Sequence, residues 1–301
     1  MNSTERIGIG SSLEDAALVR RHRRRVLKDR IYKGLIVGAL FLVLLPLGDM
    51  LYMFAYKGAL LVSIEKLTTS TIGSASFVSG GLSNAITGTF LLILISSGIA
   101  VPLGLLGGIY MAEFSNGGRY SEMVRFFSDV LAGVPSIVLG YVGYLLLVQY
   151  FGWGFSAMAG GVTLAVMMLP YVLRTTELSI RRVPSTIREA AVALGSNRTK
   201  MINRLTLRLA LPGIITGVIL SLGIALGETA PLLYTAYFSN YNPTQLFHEP
   251  VGFLTYVVYT FSQLPSTDAH NLAYLASFLL ICIVIAVNVL ARVGLKRFSK
   301  I

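Results

Sequence analysis

Six apolar stretches dominate the chain, at about 31–54, 85–111, 124–150, 154–174, 209–236 and 271–293. A helix needs roughly 20 mostly apolar residues to cross the hydrocarbon core of a bilayer. In that core each backbone amide and carbonyl must be satisfied within the segment, so such stretches form helices. The expected fold is therefore all-α, a polytopic membrane protein with six transmembrane helices. Composition agrees: of 301 residues, 54% are hydrophobic and 13% charged, against roughly 25% charged in a soluble domain. That excludes a soluble enzyme, a disordered chain and a disulfide scaffold. The single cysteine, Cys282, has no partner for an internal disulfide. The first stretch is too long for a cleavable signal, and no small-residue cleavage site follows it.

The net charge of +11 is explained by where the basic residues sit. Lys and Arg collect on the cytoplasmic side of membrane proteins, close to the ends of the spans. The stretch through Lys33 holds the run Arg20, Arg21, Arg23, Arg24, Arg25, Lys28 and Arg30. The loop around 174–208 holds Arg174, Arg181, Arg182, Arg188, Arg198, Lys200, Arg204 and Arg208. With the N-terminus inside and six spans, 23 of the 25 basic residues fall on the inner side; only Lys57 and Lys66 fall outside. Both termini are expected to be cytoplasmic and the protein to lie in the plasma membrane as a multi-pass chain. This distribution follows span ends rather than a recognition fold, so membrane lipid and not nucleic acid is the expected surrounding. The apolar run 251–262 is too short to span and reads as interfacial or re-entrant.

The spans are interrupted by Pro46, Pro102, Pro135, Pro170, Pro212 and Pro231, and glycines are frequent around them. Small residues let helices approach closely. The carbonyls that proline frees must be satisfied by neighbouring helices or a watery cavity. Glu228 stands within the fifth stretch. A charge at depth costs roughly 2.5–3.5 kcal/mol on insertion scales and normally faces a bundle interior or an aqueous path. It is read either as lining a path or as an interhelical hydrogen bond that fixes packing.

The inner loop 184–212 has a pattern of its own. Ile187, Ala190, Ala191 and Leu194 fall at i, i+3, i+4 and i+7, one face of a helix. Thr186 and Glu189 have the spacing of a capping box. Gly195 suits a helix C-terminus, and Asn197 can cap the next helix. The apolar stripe must be buried, either on the protein's own inner surface or in the groove of a cytosolic partner.

Glu189-Ala190-Ala191, three further residues and Gly195 resemble the EAA loop of permease subunits in binding-protein-dependent ABC importers. The similarity extends to Ser83-Asn84-Ala85-Ile86, Ala100-Val101-Pro102-Leu103-Gly104, Gly108–Glu113, Gly133-Val134-Pro135-Ser136 through Gly140, Ala210–Ile214 and Ala225–Leu233. The Val-Pro-Ser and Gly-Glu-Thr-Ala-Pro elements resemble the phosphate branch, the PstA-type permeases. The resemblance implies a type I importer (MetI-like) fold, with residues 1–30 a basic cytoplasmic segment and 31–301 a single transmembrane permease domain. It implies that Glu189, Ala190, Ala191, Leu194 and Gly195 form a coupling helix. This helix would dock on a PstB-like ATP-binding dimer, where ATP and Mg would be bound; no cofactor is implied for this chain. A PstC-like second permease and a PstS-like extracytoplasmic phosphate-binding protein would complete the importer. Glu228 and Thr229, with Pro135 and Ser136, are the expected path-lining residues. Family members often carry Arg four residues before the motif's Glu, where this chain has Ile224. The same architecture carrying molybdate, tungstate or sulfate is the alternative, and a self-sufficient secondary transporter a more distant one. No G-x-x-x-x-G-K-[ST] phosphate loop, metal-ligand spacing or nucleophile-base pair occurs, so the chain is not expected to be an enzyme.

Overall fold

The structure is a computed structural model and describes residues 3–74, 77–115 and 118–298. It divides into two compact units, Met1–Met53 and Phe54–Ile301. The first is most of helix α1 (Ser3–Leu60). Its 58 residues correspond to about 87 Å at 1.5 Å per residue, far more than one bilayer. Of the basic run, Arg25, Lys28 and Arg30 have described, exposed side chains; Arg20, Arg21, Arg23 and Arg24 do not fall among the described side chains.

The second unit is a helical bundle around α6 (Ala157–Arg181). Helix α3 (Ser83–Ile109, ending in the π-helical turn Tyr110–Phe114) and helix α9 (Leu207–Gly227) pack on α6 along most of its length. The approach is close because small residues line it, as expected from the glycine content. A Cβ on Gly104 would meet Val172 at 2.7 Å, and one on Gly217 would collide with Thr175. Helix α12 (Thr267–Phe298) covers α9. By length and composition five helices can cross a membrane, and a sixth crossing is the bent pair α4 (Arg119–Gly133) and α5 (Ser136–Gly143, continued by π-helical turns to Tyr150). The apolar stretch 124–150 is thus not the one straight helix its hydropathy suggests: the two halves meet at 103°. Pro135 has no N–H to continue a helix, and it holds Val134 in extended backbone (φ −72°, ψ 132°).

One end of the bundle carries a short helix α2 (Ile64–Thr68) and a two-stranded antiparallel hairpin, β1 (Thr71–Ser74) with β2 (Phe77–Gly80), in which Thr71 pairs with Gly80. Asn84, fully buried at the start of α3, binds this end together. Its Oδ1 accepts from the Thr71 N–H (3.1 Å) and hydroxyl (3.0 Å), and its Nδ2 donates to the Ser239 carbonyl (2.7 Å). The run 251–262 enters the same end as a one-turn helix, α11 (Leu254–Tyr256), with a π-helical turn after it. Leu254 and Val257 are buried there with Leu275 and Ala276 of α12, and Phe253 with Leu92, Leu164 and Leu232; Val251 is buried as well. Phe238 and Tyr256 stack at 4.3 Å. This run is therefore a buried insertion, not a surface helix.

The opposite, basic end holds α7 (Ser185–Ala193) and α8 (Arg198–Met201), which continues through the π-helical turn Ile202–Thr206 into α9. Pro212 lies inside this continuous helix, not at its start.

Candidate functional site: a helix break, a lever and an ionic clamp

Two chain breaks lie close together on one face of the bundle. Helix α9 ends at Gly227; Glu228 is extended (φ −74°, ψ 133°), Thr229 precedes α10 (Ala230–Thr235), and the second break is Val134-Pro135 between α4 and α5. The Ser136 side chain faces the Glu228 carboxyl. That places the acid at the first turn of α5, where the helix dipole favours negative charge. The Glu228 carbonyl accepts from the Thr255 hydroxyl at 2.8 Å, so the inserted run is tied to the same break. Gly140, one turn into α5, lies against the Pro231 backbone. The four path residues proposed from sequence are thus neighbours: Glu228, Thr229 and Ser136 are half-buried and Pro135 is exposed.

Behind Glu228 the bundle is filled. The void lined by Thr89, Leu92, Leu164, Leu226, Phe253 and Thr255 measures about 10 Å³, the room one water needs. Gly133, Pro135 and Gly227, by contrast, are exposed. Beside Glu228, the room for a ligand lies on that open face and not in this void. Ile224 points elsewhere, into a crevice between α9 and α12 with Asn288 and Arg292.

Helix α7 is the helix expected from sequence to act as a coupling lever. None of its residues is buried: Ile187, Glu189, Ala190 and Val192 are exposed, Ala191 is half-buried, and Leu194, just past its end, is 89% exposed. The apolar stripe does not pack on the protein's own surface. The C-terminus is a full Schellman cap: Ser196 N–H donates to the Ala191 carbonyl (3.0 Å), Gly195 N–H to Val192 (2.9 Å), and Gly195 takes φ +77°. Asn197 caps α8 through the Thr199 N–H at 3.1 Å, as its position predicts. The capping box does not form. Pro184 occupies the N-cap position and Thr186 is already within the first turn, so its side chain does not cap.

Beneath the lever is a clamp that sequence reading missed. Glu113, 9% exposed at the end of α3, lies 2.9 Å from Arg188 Nη1 of α7, and Arg188 Nη2 donates to the Ile180 carbonyl at 2.7 Å. Arg198 of α8 donates to the Glu113 carbonyl and stacks over Phe114 at 4.7 Å. The root of the lever is therefore fixed to α3 and α6 by charge while its apolar side stays uncovered. Next to it Glu177, 1% exposed on α6, receives Arg125 Nη2 (2.7 Å) and Nε (3.2 Å), Arg181 Nε (2.9 Å) and Arg174 Nη1 (3.3 Å). Arg181 Nη2 also donates to the Met111 carbonyl at 2.9 Å. The i,i+3 and i,i+4 spacing of Arg174, Glu177 and Arg181 is a visible helix-pair signal; Arg125, 52 positions away, has none. Among the described residues no group of three or more His, Cys, Asp or Glu side chains could hold a metal ion.

The profile of a family described as binding-protein-dependent transport system inner membrane component matches residues 104–300. The chain is 41% identical over 270 residues to "Phosphate transport system permease protein PstA 2" of Mycobacterium bovis, covering 89% of this chain and 88% of that protein. It is 36% identical over 283 residues to "Phosphate transport system permease protein PstA" of Yersinia pestis, covering 93% and 95%. A "Probable phosphate transport system permease protein PstA" of Methanocaldococcus jannaschii is 36% identical over 282 residues, covering 92% and 97%. In fold, the chain is similar to a bacterial alginate ABC transporter crystallised with its alginate-loaded periplasmic protein (TM-score 0.64, 16% identity, 92% of this chain and 98% of that one). It is also similar to the inward-facing MetNI methionine ABC transporter (TM-score 0.58, 16% identity, 72% and 97%).

Proposed function

This chain belongs to the family of binding-protein-dependent transport system inner membrane components, and on that premise we propose that it is one of two permease subunits of an ATP-driven importer of inorganic phosphate. Three things support the cargo and the mode of action. The curated relatives named phosphate permeases match nearly the whole chain. The break around Glu228 opens on an exposed face rather than into a cavity of this chain, an arrangement that needs a second permease to close it. Broken helices of this kind carry substrate sites in other transporters. Glu228 repels a phosphate dianion by charge; its role is to accept a hydrogen bond from a protonated phosphate oxygen or to hold a cationic side chain of the second permease.

The observation that carries the coupling role is the uncovered apolar stripe of α7. A lever rooted by Arg188 and Arg198 and unburied from Ile187 to Leu194 suits the groove of an ATP-binding subunit, which supplies ATP hydrolysis with Mg. Closure of that subunit's dimer then moves α3 and α6 through Glu113 and Ile180. In this reading the basic end faces the cytoplasm and both termini lie there, in keeping with the positive-inside rule. An extracytoplasmic phosphate-binding protein delivers cargo to the hairpin end.

Affinity purification of the full chain in detergent tests the assembly. An ATP-binding subunit and a second permease are expected to co-purify, and Leu194→Glu is expected to release the ATP-binding subunit while the second permease stays bound. Recovery of the chain alone, still moving phosphate in liposomes, would replace this reading with a self-sufficient transporter.

A further inference from the structure

The arginines on Glu177 exceed what one carboxylate needs. Glu177 carries a single negative charge, and one guanidinium fork satisfies it. Three guanidiniums converge on it from two helices, Arg125 of α4 and Arg174 and Arg181 of α6. Their side chains are 30%, 45% and 43% exposed, whereas the acid is buried. Each guanidinium has five N–H donors in a fixed plane. Among the described residues, hydrogen bonds engage Nε and Nη2 of Arg125, Nη1 of Arg174, and Nε and Nη2 of Arg181. Among those residues, Nη1 of Arg125 and of Arg181, and Nε and Nη2 of Arg174, make none. The cluster is thus a half-open, doubly positive socket whose donors are oriented by the buried acid.

Its place is as informative as its charge. Arg125 stands on α4 eight residues, or about 12 Å of helix rise, before Gly133, where the broken span opens. The socket, at the middle of α4, and the helix break, at its C-terminal end, are therefore carried by one helix. Helix α4 also carries exposed Tyr120, Phe126 and Phe127, rings suited to a membrane interface.

We propose that Arg125, Arg174 and Arg181, held by Glu177, form a binding site for a phosphate group at the basic end of the bundle. Resting on the phosphate-import reading, the site takes the transported anion after it passes the helix break and before release. The same chemistry would also hold the phosphate of an anionic lipid beside α4, and the experiment separates the two sources.

The complete importer, without nucleotide or binding protein, is placed in nanodiscs of phosphatidylcholine and titrated with radiolabelled inorganic phosphate. Saturable binding is expected, weakened about tenfold or more in Arg174→Gln and in Arg125→Gln, since a hydrogen bond to a charged group contributes about 1.5–3 kcal/mol. The two substitutions lie on different helices, and gel filtration with the second permease checks that each variant is assembled. If free phosphate does not bind but phosphatidylglycerol is retained through purification and lost in both variants, the phosphate group is a lipid's. Binding of both ligands that is unchanged in both variants, or absent from the wild type, overturns the site. ATP-driven uptake by the wild-type complex in liposomes judges the import reading separately: a complex that takes up phosphate yet binds it identically in both variants loses the socket alone.

Discussion

Glu177 on α6 and Glu228 just past the end of α9 are two carboxylates of the same bundle, and their surroundings are opposite. Glu177 is buried and holds three arginines. Glu228 is half-buried at a helix break, with the Ser136 side chain facing it and an open face beside it. The first is built to stay fixed: its removal leaves three cations facing one another. The second has few bonds to lose and room in front of it. In the proposed reading, the difference separates a group that holds other side chains in place from a group that meets cargo.

Substitution breaks or sharpens this contrast. Glu177→Ala is expected to cost about 3–5 kcal/mol, the range for a buried ion pair deprived of one partner, and to lower the thermal unfolding midpoint of the purified chain. Glu228→Gln is expected to cost less than about 1 kcal/mol, the net worth of one ordinary hydrogen bond, while stopping uptake. Equal destabilisation by the two would remove the distinction. The same logic applies to glycines: Gly104→Val drives a branched side chain into Val172 and is expected to cost about 1–3 kcal/mol. Gly133→Ala, with nothing within 4 Å, is expected to be neutral or slightly stabilising.

The lever supplies a smaller test. Gly195→Ala places a Cβ at φ +77°, a cost of about 1 kcal/mol. Faster hydrogen exchange is expected at the amides of Gly195 and Ser196, with exchange along α6 unchanged. Protection lost equally in α6 would mean that lever and bundle open together. The smallest effect is at the hairpin end. The N–H groups of Gln245 and Thr244, with the Thr244 hydroxyl, hold the Glu249 carboxyl below the usual carboxylate range. A depressed folded value means the loop's stabilisation is complete above the unfolded value, about 4.3, and is lost as pH falls through the lower folded one. Amide exchange at Thr244 and Gln245 is expected to accelerate only below about pH 4, and Glu249→Gln to abolish that step.

What was legible in the sequence follows the same division. The spans could be read because apolar length is a local property. Glu228 was visible because it stands alone among apolar residues, and the turn at Gly195-Ser196-Asn197 because cap chemistry is local. The 103° bend was less so: Pro135 marks a break, but hydropathy across 124–150 continues through it. Glu113 and Glu177 were hidden because they sit among basic residues near span ends, where charge is ordinary, and because their partners Arg188 and Arg125 come from distant positions. Whether the stripe from Ile187 to Leu194 packs inward or stays uncovered is settled by tertiary structure; periodicity gives only the face.

The most direct test of the account is ATP-driven phosphate uptake by the complete importer in liposomes, with the delivering protein present, comparing wild type with Glu228→Gln. The account predicts that the variant assembles with the second permease and the ATP-binding subunit, unfolds within a few degrees of wild type, and takes up no phosphate. Uptake and substrate-stimulated ATP hydrolysis at wild-type levels in that variant would contradict it.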